Sequence, residues 1–340
     1  MQQTDTDLQR RGASEAVSFS EPGASHAQAA TRGGVRQRRP FRLNEEAVAG
    51  LVFVSPFLIG FVVFTAGPLL ASLYLSFTSY DVLNPPVWIG LDNYQRMFDD
   101  ERFGKTLYNT LYFVVLHVPT AIPFALGLAL LLNTRVRGLS FWRTAFYLPQ
   151  ITPAVAAGVL WLRILSPQNG LLNGSLALLG VSGPAWTIDG AWVKPALVIM
   201  KTWSLGWMVV VYLAALQQVP RELYEAAIVD GANAVQRFRH ITLPMISSVT
   251  FFTLVMITIF SLNIFTEPMV IFPPQVFGGQ MGPQDSALFY VLYLFDQAFR
   301  FFRMGYASAL AWVLFAITLA IVFAQLRGAR RFVYTETGRV

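Results

Sequence analysis

Side chains able to do chemistry are few and scattered in this chain. It has no cysteine, which excludes a thiolate nucleophile, a disulfide and a cysteine-ligated metal. The three histidines, His26, His117 and His240, lie in a tail, an apolar run and a polar connector, and do not read as a metal site. His117, close to Pro119, reads as a packed or hydrogen-bonded helix residue. Asp99, Asp100 and Glu101, flanked by Arg102 and Lys105, read as a solvated acidic cluster. No G-x-x-x-x-G-K-[ST] phosphate loop occurs, so ATP is not bound and hydrolysed here by that route. What remains is polar groups inside apolar runs, which are costly and usually face a pathway or a partner. Asn263 and Glu267 are four residues apart, on one face of a helix, with Pro268 interrupting it just after. Trp203 and Trp207 share a face near Lys201, and Gln150 and Thr152 sit between Pro149 and Pro153, where a helix should break. Aromatic faces beside hydrogen-bonding groups suit a sugar, whose C–H face stacks while its hydroxyls need partners. The plainer reading is that Glu267 pairs with Lys201 or lies among headgroups, and that the tryptophans are interfacial or packed on a partner chain.

A second constellation runs from Pro220 to Pro244. Pro220 suits a helix start, Glu222 and Glu225 lie at the positive end of its dipole, and Gly231 offers the backbone that ends it. Asn233 suits the N-cap of a second short helix through Ala234, Val235, Phe238 and Ile241. Leu243-Pro244 is expected to break that helix and start the next apolar run. A helix pair lying on lipid headgroups is one reading. Against it, Glu222, Glu225 and Asp230 would be repelled by anionic lipid, whereas small Ala226 and Ala227 allow a partner backbone close approach. A docking element for another protein fits better.

The elements that must position these residues are membrane spans. Of 340 residues, 54% are apolar and only 13% charged, about half the charged share of a soluble domain. A span needs ~20 apolar residues, and six runs qualify: Ala47–Phe77, Leu107–Leu132, Phe141–Leu165, Trp192–Leu216, Met245–Phe272 and Tyr306–Leu326. Leu288–Phe302 carries Asp296 and is short, so it reads as interfacial or re-entrant. With the N-terminus inside, seventeen of the 25 Lys and Arg fall on the cytoplasmic side, seven outside and Lys201 within a span, the bias that sets orientation. Both termini, and the 220–244 pair, are then cytoplasmic. The net charge of +6 follows from these loops and tails and does not indicate nucleic acid. Trp88, Trp186 and Trp192 fall at the outer boundary as interfacial aromatics. Residues 1–46 form a basic tail without apolar runs, expected to be disordered; 47–328 form the membrane domain, with a coupling loop at 217–245; 329–340 form a short C-terminal tail.

Glu225-Ala226-Ala227, then Asp230-Gly231, then Ile241, Leu243 and Pro244, resemble the EAA loop of binding-protein-dependent ABC importer permeases. Arg143, Leu148-Pro149, Trp161, Gly170, Asn173 and the Met304–Ala309 stretch resemble the sugar-type members, so the likeness covers about residues 47 to 328. One departure is the short Gly-Gly-Pro turn of many sugar permeases, which here is drawn out from Gly278-Gly279 to Pro283. The resemblance implies an all-α, six-helix permease of the type I importer fold, in the bacterial or archaeal plasma membrane, carrying a di- or oligosaccharide or related polyol. It implies a second permease chain, as a heterodimer since sugar-type systems often use two, along with two ATPase subunits and an extracytoplasmic solute-binding protein. ATP and Mg would be bound by the partner ATPase, and this chain would be a transport subunit with no cofactor and no catalytic residues. Glu225 would contact the ATPase, Gly231 would shape the elbow, and Ala226 and Ala227 would permit close packing. A stand-alone secondary transporter or channel is the rival; it would show internal repeats and several buried charges, and no convincing repeat is visible.

Overall fold

The computed structural model describes residues 45–134 and 138–329, with the backbone of 334–335 and 338–339. The basic tail expected at the N-terminus, except its last two residues, and most of the C-terminal tail lie outside the described residues, as do Arg135 and Arg137. Among the described residues, those up to Leu58 form one unit and those from Ile59 onward another.

Helix α1 (Glu45–Phe61) passes through a π turn at Val62–Ala66 into α2 (Gly67–Ser76). A short hairpin, β1 (Thr78–Ser79) and β2 (Val87–Trp88), leads to α3 (Asp92–Phe98) and the long α4 (Glu101–Leu132). Then come α5 (Leu139–Ile151), α6 (Ala154–Ile164), α7 (Leu171–Leu178), α8 (Gly190–Trp203) and α9 (Gly206–Gln218). The polar connector holds α10 (Arg221–Val229), α11 (Ala234–Arg237) and, after a π turn at Phe238–Thr242, α12 (Leu243–Met245). The chain ends with α13 (Ser247–Leu262), α14 (Thr266–Ile271), α15 (Tyr290–Phe295), α16 (Met304–Ala329) and a hairpin of β3 (Tyr334–Thr335) and β4 (Gly338–Arg339).

Among the described residues, four helical stretches are long and apolar enough to cross a membrane, or up to six if each bent pair is one span. The third run breaks between Pro149 and Pro153, as expected, and its halves α5 and α6 meet at 102°. The fourth is also broken, α8 and α9 meeting at 49°. Two π turns share a cause. Each ends two residues before a proline, Pro68 or Pro244, whose ring collides with the preceding turn and whose missing N–H breaks the ladder. A widened turn absorbs both. Pro244 therefore does not end its helix; the chain continues to Met245 and turns only at Ile246.

The core has two apolar clusters. One joins Phe113 of α4 with Trp161 and Leu165, the α8 face Val193–Met200, Phe272, Tyr290 and Leu310. The other joins Leu126 and Ala129 of α4 with Met208, Tyr212 and Leu216 of α9, and with Ile246 and Ile257. Among the described residues, α4, about 48 Å long at 1.5 Å per residue, contributes buried residues to both in continuous helix. The Leu288–Phe302 segment is a short helix packed between α4 and α16, where the Thr110 hydroxyl accepts from Tyr290 N at 2.9 Å and Tyr290 Oη donates to Leu310 O. Gly305 is required by close approach, since a Cβ there would overlap the Thr78 carbonyl oxygen.

Buried polar bonds tie the end of the bundle formed by α3, the start of α4 and the loop before α15. Asn109 Nδ2 donates to the carbonyls of Asp285 and Leu288 at 2.9 Å each, and Lys194 Nζ donates to Asn109 Oδ1 at 3.1 Å. Arg102 pairs with Asp285 at 3.2 Å. These bonds hold the loop through Gly282, Gln284 and Asp285 with all three at positive φ. Lys194 is thus a buried core cation rather than an outer-loop charge. Trp186 is also buried, donating to Asn173 Oδ1 at 2.7 Å, so it is not an interfacial aromatic. Asp100 corrects the reading of a solvated cluster. It caps α4 by accepting from the Arg102 and Phe103 amides, and its carboxylate accepts from the Tyr293 and Tyr306 hydroxyls. Burial acts to raise its pKa, but the two tyrosine donors and the Phe103 and Arg102 amides outweigh it, and the carboxyl lies below the ordinary 3.8.

Because its folded value is depressed, Asp100 contributes stability that is complete above the unfolded value and is lost as pH falls through the folded one. Asp100→Asn keeps a capping oxygen but loses the charge. It is expected to cost about 1–2 kcal/mol at neutral pH, with the gap to wild type closing as pH falls below about 4. Asp100→Ala loses the cap as well and costs about 1 kcal/mol more. Thermal unfolding of the detergent-solubilised chain between pH 7 and 3 measures both.

Candidate functional site

Two features stand out, a cavity and an exposed helix pair. The cavity, of about 730 Å³, lies where three broken helices meet. Its wall includes Thr152 at the α5–α6 break, Ser204 and Leu205 at the α8–α9 break, and Asn263, Ile264 and Phe265 at the α13–α14 break. Gln150, Trp207 and Glu267 also line it, so four of the five expected pathway residues, Gln150, Trp207, Asn263 and Glu267, come together.

Trp203 does not. The break at Ser204–Leu205 turns it away from Trp207, and it packs edge-on against Trp161 at 5.9 Å. Trp207 instead stands edge-on to Phe260 at 5.8 Å on the cavity wall. Asn263 and Glu267 do not share one helical face either. The helix stops at Leu262, ahead of Pro268, and Pro268 sits in the first turn of α14, where a missing N–H costs nothing. Asn263 Nδ2 folds back to Ile259 O at 2.9 Å.

Of the alternatives for Glu267, the structure has the ion pair. Lys201 Nζ meets Glu267 Oε1 at 2.7 Å, joining α8 to α14, with side chains 29% and 11% exposed. His117 and Ser261 were not among the expected pathway residues. His117 is buried at the cavity edge, its Nδ1 2.9 Å from Ser261 Oγ. The Ser261 hydroxyl gives its hydrogen to Ile257 O at 2.6 Å, so His117 Nδ1 is the donor of that pair. No local signal links two residues 144 positions apart. Among the described residues no group of His, Asp and Glu could hold a metal ion.

The helix pair is built by local capping. Helix α10 ends through two reciprocal bonds, Gly231 N to Ile228 O at 3.0 Å and Ala232 N to Ala227 O at 2.8 Å, with Gly231 at φ 76°. Asn233 then caps α11 in a full capping box with Gln236, both bonds within 2.9 Å. One side of the pair is anchored. Tyr224, Phe238, Ile241 and Leu243 pack on the α4–α9 cluster, and the Tyr224 and Thr242 hydroxyls bond at 2.9 Å. The other side is open. Glu225, Ala226, Asp230 and Gly231 are exposed and Ala227 half-buried, beside the exposed apolar side chains of Leu223, Ile228, Val229 and Val235. Leu243 and Pro244 are half-buried, and Leu243 packs on the anchoring cluster.

Residues 102–332 match the family described as binding-protein-dependent transport system inner membrane component. The chain is 40% identical over 298 residues to the probable ABC transporter permease protein YesP of Bacillus subtilis (strain 168), covering 87% of this chain and 94% of that one. It is 34% identical over 289 residues to the lactose transport system permease protein LacF of Rhizobium radiobacter, covering 83% and 94%. A chain of the bacterial alginate ABC transporter, solved in complex with alginate pentasaccharide-bound periplasmic protein, superposes with a TM-score of 0.72 at 25% identity, covering 85% and 96%.

Removing one partner of a buried ion pair strands the other, whereas replacing both with apolar groups is close to neutral. Lys201→Met or Glu267→Gln alone is therefore expected to destabilise by about 1–3 kcal/mol, less than a fully buried pair because Lys201 is partly exposed. The double variant Lys201→Met/Glu267→Leu is expected to recover most of that. Equal melting temperatures for single and double variants would remove the pair from the structural account.

Proposed function

This chain belongs to the binding-protein-dependent transport system inner membrane components, and from that membership we propose that it is the permease subunit of an ATP-driven sugar importer. It is a multi-pass membrane component and a transport subunit, not an enzyme. The observation that carries the coupling role is the open face of the capped helix pair, with Glu225, Ala226 and Asp230 beside an unpartnered apolar surface. In this reading the face is cytoplasmic and docks on an ATPase subunit, which binds the ATP and Mg. A second, different permease chain completes the pathway above two such ATPases, and an extracytoplasmic solute-binding protein delivers the solute. The excess of Lys and Arg in the connectors on that side supports cytoplasmic termini.

The solute passes through the cavity at the three helix breaks. Its volume is within the range of small-ligand sites, about 300–1,000 Å³, and Trp207 with Gln150, Asn263 and Glu267 offers an aromatic face beside hydrogen-bonding groups. Relatives named for lactose transport, and a structural neighbour named for alginate, support a di- or oligosaccharide or a related polyol. The helix pair is anchored to the cluster that holds α9 and the start of α13, and both helices break at the cavity. Displacement of the pair by a closing ATPase would tilt α9 and α13 about Ser204–Leu205 and Asn263–Phe265, opening and shutting the cavity.

Gentle detergent purification of the tagged chain from its native membrane, with its companions identified by mass spectrometry, tests the partners. An ATPase and a second permease in stoichiometric amounts are expected. Recovery of this chain alone, able to transport in vesicles without ATP, would favour a stand-alone transporter. Gly231→Pro forces φ to about −65° where 76° is needed. It is expected to abolish uptake and ATPase recovery while the chain still inserts; normal uptake would sink the docking role. Gly231→Ala, costing about 1–2 kcal/mol at that position, is expected to weaken both, and Glu225→Ala to abolish uptake with insertion intact.

A further inference from the structure

An apolar groove of about 370 Å³ lies away from the cavity, between α4, α13 and the end of α16. Ile122, Leu243, Thr250, Leu254, Gln325 and Gly328 are among its walls. Gly328 leaves open space at the groove wall, where a Cβ would meet nothing within 4 Å. Its polar wall residues bond mainly within the protein, although Gln325 Oε1 is buried without a partner. Ser247 Oγ donates to Pro244 O, Thr250 Oγ1 to Ile246 O, and Gln325 Nε2 to Thr258 Oγ1. The surface left to an occupant is mainly hydrocarbon.

Basic side chains lie within one turn of two of the walls, while the carboxylates of Glu222, Glu225 and Asp230 belong to the separate helix α10 and the residue that ends it. Arg327 is in the last turn of α16, next to Gly328. Arg239 lies one turn before Leu243 and Arg330 and Arg331 follow in the sequence. No Asp or Glu occurs in residues 102–188, 231–266 or 297–335, which contain all the walls. An apolar slot in a membrane-embedded helix bundle, with no acidic wall residue and with Arg327 and Arg239 within one turn of wall residues, fits an amphiphile with a hydrocarbon tail and an anionic head.

We propose that this groove binds one anionic phospholipid, an acyl chain between α13 and α16 and its phosphate at Arg327 and Arg239. The bound chain touches Leu243 and Ser247, at the joint between the coupling pair and α13, and braces that joint against α16. Lipid composition thereby sets the stiffness of the element that passes motion to the cavity. The site depends on neither the sugar nor the ATPase.

The full chain, purified with its companions in mild detergent, is titrated with palmitoyl-oleoyl phosphatidylglycerol and, separately, the matching phosphatidylcholine, and bound lipid is counted by native mass spectrometry. One phosphatidylglycerol is expected to bind at least about fivefold tighter than phosphatidylcholine, a single arginine at an anionic head contributing about that factor. Arg327→Gln is expected to remove most of that preference. Gly328→Leu, which fills the slot, is expected to abolish the tight site for both lipids with the melting temperature in lipid-free detergent unchanged. If Gly328→Leu fails to fold, Arg327→Gln decides alone. Equal binding of the two lipids by wild type, or an unchanged preference in Arg327→Gln, would overturn the proposal. So would displacement of the lipid by glycerol 3-phosphate, which marks an anion site without a chain. A chain ending at Ala329 that alone binds lipid would show that residues 330–340 fill the groove.

Discussion

A helix crossing hydrocarbon has no water to satisfy an unpaired amide or carbonyl, so a break is tolerated only where protein or a cavity supplies partners. That constraint organises this molecule. Three apolar runs are interrupted, at Thr152–Pro153, Ser204–Leu205 and Asn263–Phe265, and all three interruptions line the same cavity. Scattered breaks would each need a separate shelter; gathered, they share one. The polar residues of the site follow from it. Thr152 and Ser204 are the residues at which α5 and α8 stop, and Asn263 is where α13 stops.

The same breaks divide the core. Helices α6, α8 and α14 pack with the cluster around Phe113 and Trp161, and α9 and the start of α13 with the cluster around Met208 and Tyr212. The cavity therefore lies along the seam between two packed bodies, which α4 joins by unbroken helix and which α16 also spans, from Leu310 in one to its Gln325–Thr258 bond with α13. Close-packed cores transmit displacement rather than absorb it, so relative motion concentrates at the seam. A hinge made of helix ends needs no bond to break within either body, because the backbone groups at those ends are already outside the regular ladder.

What could be read in the sequence was what local chemistry determines. The Pro220–Pro244 pair was legible because Gly231, Asn233 and Gln236 act within three residues of themselves, and the α5–α6 break because Pro149 and Pro153 enforce it. The breaks at Ser204 and Asn263 have no proline at them. Pro268 pointed instead to an interruption after Glu267, whereas a proline is at ease in a helix's first turn and marks the start of α14. Pro244 misled in the opposite sense, since a π turn upstream carried the helix past it. Asp100 and Lys194 looked like surface groups because their partners Tyr293 and Asn109 are distant in sequence, and Trp186 looked interfacial because its partner Asn173 lies across the turn after α7; only folding brings a buried polar group the bond that makes its burial affordable.

The two ends of the bundle are held by different forces, and the difference would give the proposed motion a direction. At the end near Asp100 the fastening is polar and directional: the Asp100 carboxylate with two tyrosines, Asn109 with two carbonyls and Lys194, and Arg102 with Asp285. Moving that end by an ångström breaks several buried hydrogen bonds, each expensive to leave unmade. At the end near the helix pair the fastening is mainly apolar, through Tyr224, Phe238, Ile241 and Leu243, with the Tyr224–Thr242 hydroxyl pair as its named side-chain bond to the helix leading into α13. Apolar contacts are not directional and tolerate sliding at nearly constant buried area. In the proposed coupling, a push delivered at Glu225 and Asp230 moves the yielding end while the polar end stays fixed, and the displacement is taken up where the backbone ladder is already open, at the cavity.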